Sequence, residues 1–104
     1  MSDGPLISLT VCMRDAEQWV DNCLAALVKQ TYRPLEIIAV DDGSTDGGFT
    51  KLKAWEGEHN GIIVSVLKQP PTGLSAGRNL ALEHSKGEWV AITDIDCRPD
   101  PYWI

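Results

Sequence analysis

Four short apolar runs, each separated from the next by a stretch of helical periodicity, restrict this chain to few folds. Residues 6–11, 35–40, 62–67 and 90–93 are rich in Leu, Ile, Val and Thr, with Glu36 their single charge. Near-continuous apolarity suits strands covered on both faces, as in a parallel sheet. After the first run, Asp15 is placed to cap a helix reaching about Lys29. Its Trp19, Val20, Cys23, Leu24, Leu27 and Val28 form one apolar stripe, and Pro34 closes the connection. Thr45 or Asp46 could cap a second helix in which Phe49, Leu52 and Trp55 share a face and Gly57 is the stop. A loop at 69–73, punctuated by Pro70 and Pro71, precedes a third helix over 75–85, with Ala76, Leu80 and Ala81 turned inward. The resulting β-α-β-α-β-α-β order implies right-handed crossovers and a three-layer α/β/α domain with a mainly parallel sheet. At 104 residues this is one domain or part of one.

In such sheets ligands bind beyond the carboxyl ends of the strands. Three polar clusters follow strand ends here: Arg14-Asp15, residues 41–46, and Asp94-Ile95-Asp96. Topology puts all three on one rim. Asp94 and Asp96, one residue apart where a strand ends, could converge on a hard cation. Two carboxylates are few for Ca²⁺ but suit Mg²⁺ or Mn²⁺, which complete their shells with water and substrate phosphates. Residues 41–46 also read as a turn and helix cap, since Asp, Gly and Ser favour turns. They lack the spacing and terminal Glu of an EF-hand loop. There is no P-loop Lys, and Gly73-Leu74-Ser75-Ala76-Gly77 departs from G-x-G-x-x-G. The formal charge of −6 argues against non-specific nucleic-acid binding, which needs clustered Lys and Arg. No apolar run has the length of a membrane span, and residues 1–5 lack the basic flank and apolar core of a signal peptide. Cys12, Cys23 and Cys97 form no C-x-x-C pair, which points to reduced thiols and a cytoplasmic location rather than a zinc site.

Four segments, in order, carry a resemblance. Residues 37–46 read Ile-Ile-Ala-Val-Asp-Asp-Gly-Ser-Thr-Asp. Residues 24–32 end in Gln30-Thr31-Tyr32. Residues 73–79 read Gly-Leu-Ser-Ala-Gly-Arg-Asn, and Asp94-Ile95-Asp96 is followed by Pro101-Tyr102-Trp103-Ile104. Together they resemble the family 2 glycosyltransferases, inverting enzymes of the GT-A fold that use nucleotide-sugar donors. The resemblance covers almost the whole chain and implies strand order 3-2-1-4. It assigns Asp42 to the nucleotide base, Asp94 to the ribose and metal, and Asp96 to the metal that bridges to the diphosphate. Arg78 matches an Arg near the diphosphate. Cys12 stands where Pro or Thr is common, Arg14 where an aromatic usually lies beside the base, and Asp15 where Asn is usual. These departures leave UDP- and GDP-type donors both open.

The same resemblance implies that residues 1–104 are the nucleotide-sugar-binding part of a GT-A domain, cut off after the D-x-D motif. The acceptor-binding half, with its catalytic base, is expected elsewhere, and no residue here matches that base. The implied activity is metal-assisted sugar transfer, with Mn²⁺ or Mg²⁺, to a saccharide or other hydroxyl acceptor. The alternatives are a non-catalytic nucleotide-diphosphate-binding module and a subunit completed by another chain. Cys12 and Cys97 are expected as neighbours on adjacent strands. The fourth strand, with apolar residues 89–92 and the tail 102–104, is expected as an open edge that pairs two copies into a homodimer.

Overall fold

The computed structural model describes residues 4–104. Eight elements follow one another: β1 (Ile7–Met13), α1 (Glu17–Leu27), β2 (Leu35–Asp42), α2 (Gly48–Lys53), β3 (Gly57–His59), β4 (Ile62–Gln69), α3 (Leu74–His84) and β5 (Trp89–Asp94). They build one five-stranded sheet in the order β3-β4-β2-β1-β5. The β4-β2-β1-β5 pairings are parallel, and their order is the expected 3-2-1-4. The three-residue β3 pairs antiparallel with β4 and makes the sheet mixed. The sequence pattern, in which Gly57 reads as a helix stop, does not reveal this strand. Gly57 instead opens β3 with φ +124°, and α2 ends earlier, at Lys53.

Strand alternation sends successive side chains to opposite faces. Leu9, Val11 and Met13 of β1, Ile37 and Ala39 of β2, and Val64 and Val66 of β4 pack with Val20, Cys23, Leu24 and Leu27 of α1 and Leu52 of α2. On the other face Ile38 and Val40 meet Ala81 of α3, with Cys12, Leu67 and Leu80 alongside. The layers are therefore α1/α2, sheet, α3. The contact between α3 and β1 depends on Gly77, where a Cβ would collide with Cys12 Sγ.

Asp15 is not the N-cap of α1. It takes φ +49°, and Ala16 holds the cap position without a side-chain bond. The capping crosses over between the two loops. Glu17 N donates to Asp46 Oδ2 at 3.2 Å, and Gly47 N donates to Glu17 Oε1 at 3.1 Å. The Asp15 carboxylate accepts instead from Thr45 N at 2.6 Å and Thr45 Oγ1 at 3.1 Å. Each helix start thus satisfies the unpaired N–H groups of the other's loop, which locks the β1–α1 and β2–α2 turns together on the rim.

Candidate nucleotide and metal site

Asp41 and Asp42 end β2 and point to opposite faces. Asp41 is buried and accepts from Ser44 N at 3.0 Å and Ser44 Oγ at 2.5 Å, so the turn-cap reading holds for this residue. Asp42, also buried, accepts from Gln69 Nε2 at 2.7 Å and from the backbone N–H of Thr72 at 2.8 Å on Oδ1. Gly73 N reaches both oxygens, at 3.2 and 3.0 Å. The Thr72 N–H first, then the Gln69 amide, hold the Asp42 carboxyl below the usual carboxylate range. Gly73 can aim its N–H this way because it adopts φ +114°, a conformation that costs glycine little. Gln69, Thr72 and Gly73 were read in the sequence only as a loop. The register that sets Gln69 opposite Asp42 is a product of strand pairing and has no local signal.

The opposite wall is built differently. Asp94 ends the edge strand β5 opposite Cys12 in the register, and its side chain is 67% exposed, with Arg78 Nη2 of α3 3.5 Å from Oδ1. Cys97 N donates to Asp94 O at 3.0 Å, turning the chain just past the strand. That turn brings one ligand atom each of Asp94, Asp96 and Cys97 within 4.8 Å of one another, all three residues exposed. Two carboxylates and a thiol at that separation fit around one divalent cation, and the carboxylates are the hard oxygen donors that Mg²⁺ and Mn²⁺ take. Cys97 lies outside the D-x-D spacing and becomes a candidate donor only through this turn.

One open cavity of about 550 Å³ joins the two walls. Cys12, Arg14, Asp42, Asp94 and Asp96 all line it, as do Trp19, expected in the apolar stripe of α1, and Leu74, the first residue of α3. Arg78 is not part of the lining but reaches it through its contact with Asp94. Burial, then the nearby Asp42 carboxylate, push the Cys12 thiol up to about 11, so it is a neutral group at pH 7. Arg14 is exposed and 3.9 Å from Asp15. Among the described residues, all three cysteines are free, and no helix is long and apolar enough to cross a membrane.

A mainly parallel α/β/α domain with an acidic site at its carboxyl rim is the class these features define. The chain belongs to glycosyl transferase family 2, whose sequence profile matches residues 8–104. It is 33% identical over 104 residues to an uncharacterized glycosyltransferase of Haemophilus influenzae, covering all of this chain and 32% of that protein. With glycosyltransferase GlyG of Streptococcus pneumoniae it shares 37% identity over 91 residues, 88% of this chain and 30% of that one. Among solved structures it superposes on the mannosyltransferase PcManGT of Pyrobaculum calidifontis, in complex with GDP-Man and Mn²⁺, with a TM-score of 0.80 and 28% identity, covering 88% of this chain and 28% of that one. For S. aureus TarS 1-349 in complex with UDP the TM-score is 0.75 at 28% identity, over 86% and 27% of the two chains. The fold is that of the GT-A glycosyltransferases. The chain spans about a third or less of the length of the curated relatives it matches.

Proposed function

We propose that this chain is the donor-binding part of a glycosyltransferase that moves a sugar, with inversion, from a UDP- or GDP-type nucleotide sugar to a saccharide or other hydroxyl acceptor. The observation that carries this is the cavity itself, where a pre-oriented carboxylate, Asp42, faces a pair of solvent-facing ones, Asp94 and Asp96. Asp42 accepts hydrogen bonds from the base, with Cys12 and Arg14 as neighbouring wall. Asp94 reaches the ribose and, with Asp96, holds Mn²⁺ or Mg²⁺, while Arg78 lies near the diphosphate. When bound, such a cation supplies Lewis-acid stabilisation of the departing nucleoside diphosphate. The GDP-Man and Mn²⁺ of one structural neighbour and the UDP of another support a metal-assisted diphosphate donor and leave the base open. The base that deprotonates the acceptor comes, in this proposal, from an acceptor-binding half outside residues 1–104. Three free thiols suit a reducing, cytoplasmic setting.

Calorimetry with UDP and with GDP, each with Mn²⁺ or with EDTA, tests the proposal. One nucleotide binds with Mn²⁺ and about tenfold or more weakly in EDTA. No heat from either would overturn the assignment. Metal-dependent binding without transfer from any nucleotide sugar is the result for a binding module, or for a subunit completed by another chain.

The partner of the sheet edge is part of the same proposal. The tail folds back on α1, where Ile104 packs against the core, yet Trp89, Val90 and Ile92 of β5 stay exposed, Trp89 by 67%. Unpaired backbone groups on such a strand pair readily with another strand. A second copy of this chain, placed by a two-fold axis, covers both edges at once. Light scattering over a concentration series then shows a dimer mass that Ile92→Lys reduces to the monomer. A single monomeric mass at high micromolar protein excludes the dimer.

A further inference from the structure

Gln30 has no place in the apolar stripe of α1, yet it is buried, 1% exposed, just beyond the helix. Both ends of its amide are engaged by one distant segment. Nε2 donates to Asp100 O at 2.7 Å, and Oε1 accepts from Ile104 N at 3.2 Å. Thr31 adds two donors to Pro101 O, its backbone N–H at 2.9 Å and its hydroxyl at 3.2 Å. A buried amide matched at both ends makes a firm anchor, because losing either bond leaves a polar group unpaired away from water.

Asp96 lies on a short arch between that anchor and the sheet. The near foot is Asp94, whose carbonyl accepts from Cys97 N at 3.0 Å and from Cys23 Sγ of α1 at 3.8 Å. The far foot is Asp100 and Pro101, held by Gln30 and Thr31. Pro99 restricts φ in between, and Pro101 does so at the far foot. Both feet therefore rest on α1 or the residues directly after it, while Asp96 itself is exposed and carries no anchor to the sheet. The turn closed by Cys97 N and the packing of Ile95 against the core hold the arch on the near side of Asp96, and the Gln30 anchor holds it on the far side.

We infer that Gln30 is a positioning residue for Asp96: by fixing the far foot of the arch it holds that carboxylate beside Asp94 before a cation arrives. The inference rests on the donor site proposed above. A cation of this kind makes it sensitive to small shifts: Mg²⁺ demands near-ideal octahedral geometry at about 2.0–2.1 Å and tolerates little misplacement. Among the described residues, the hydrogen bonds of the base end of the cavity, built on β2 and the 69–73 loop, do not involve the arch.

Gln30→Met keeps the length of the side chain and removes both bonds. The measurement is the affinity for whichever of UDP or GDP the parent binds, taken in Mn²⁺ and in EDTA, their ratio being the gain from the metal. In Gln30→Met that ratio falls about tenfold, while the affinity in EDTA stays within about twofold of the parent. Asn60→Ala, which removes the bond from Asn60 Nδ2 to Val28 O at the same end of α1, is a destabilised control that leaves the ratio unchanged. Should Gln30→Met fail to fold, Thr31→Val removes only the hydroxyl bond to Pro101 O and lowers the ratio by about threefold. An unchanged ratio in the folded variant, or an equal fall in Asn60→Ala, overturns the inference and leaves the donor site standing. A parent that binds nucleotide equally in Mn²⁺ and EDTA overturns the donor site, and this inference with it.

Discussion

Asp42 and Asp96 face one cavity, each at the carboxyl end of a parallel strand or two residues past it, and they are opposite kinds of carboxylate. Asp42 is buried at the end of β2, which has β1 on one side and β4 on the other, and the 69–73 loop folds over it with three donors. Asp94 and Asp96 lie at and beyond the end of the edge strand β5, in solvent, with an exposed Arg78 as the nearest cation to Asp94. Central strands bring loops from both neighbours to finish a polar group. An edge strand brings them from one side and leaves a polar group to be finished by a ligand. The pair therefore divides the work of a site. One carboxylate is part of the folded protein's own hydrogen-bond network, and the others face solvent with acceptor positions open to a ligand.

The largest effect expected from that contrast is at Asp42. Asp42→Ala leaves the Gln69 amide and the N–H groups of Thr72 and Gly73 without their shared acceptor at a partly buried place, and the loss of several bonds at once is among the few mechanisms that make a single substitution severe. The melting temperature falls by about 5 °C or more, and nucleotide binding is lost together with it. Acid has a related effect. A carboxyl whose pKa is depressed by folding adds stability above its unfolded value of about 3.9, and that stability is lost as pH falls through the lower folded value. The parent therefore loses stability below about pH 4, and Asp42→Asn loses less over the same range. Some acid sensitivity remains in the variant, because Asp15 and Glu56 are also held below their usual range, chiefly by the Thr45 N–H and by Lys53. A melting temperature in Asp42→Ala equal to the parent's would erase the distinction between the two carboxylates.

Asp96→Ala is the smaller perturbation of the fold and the sharper one of function. The side chain is exposed, and removing it takes a like charge away from Asp94, so the melting temperature moves by no more than about 2 °C in either direction. Mn²⁺-dependent nucleotide binding disappears while binding in EDTA is kept. A variant that binds nucleotide and Mn²⁺ as the parent does would show that the D-x-D acids are a solvated strand end.

How far this contrast was legible in the sequence follows from which parts of it are local. Apolar runs and helical stripes carry the strand and helix pattern because burial writes its period directly into the chain. The rim position of Asp42, Asp94 and Asp96 follows from that pattern and from the parallel topology. The same letters, however, say nothing about which acid is buried. Asp41 and Asp42 differ only by the pleat: Asp41 faces the α1/α2 side and caps Ser44, whereas Asp42 faces α3 and the cavity. The partners of Asp42 come from 27 to 31 residues away, and the crossed caps of Asp15, Glu17 and Asp46 from 29 or 30. Such pairings exist only once the sheet has formed. Gln30 was visible as part of a motif, but its partners 70 and 74 residues on were not. The strand β3 was missed because three residues around a glycine carry no period at all.

Salt offers the finest test of the same comparison. The Arg78–Asp94 pair is 3.5 Å apart with both side chains about half or more exposed, so it contributes little to stability, under about 1 kcal/mol. What it contributes is electrostatic and screened, since the Debye length shrinks from about 10 Å at 0.1 M salt to about 3 Å at 1 M. The bonds that hold Asp42 are partly buried, act at contact distance and are made with uncharged donors, so salt screens them little. Arg78→Ala should therefore lower the melting temperature by about 2 °C or less at low salt and by nothing measurable at 1 M NaCl, while the penalty of Asp42→Asn stays the same at both. Thermal melts of the parent and the two variants at the two salt concentrations decide the matter. An Arg78→Ala penalty that persists at 1 M would mean that Arg78 supports α3 by packing along its stem, and that Asp94 stands alone on its wall of the cavity.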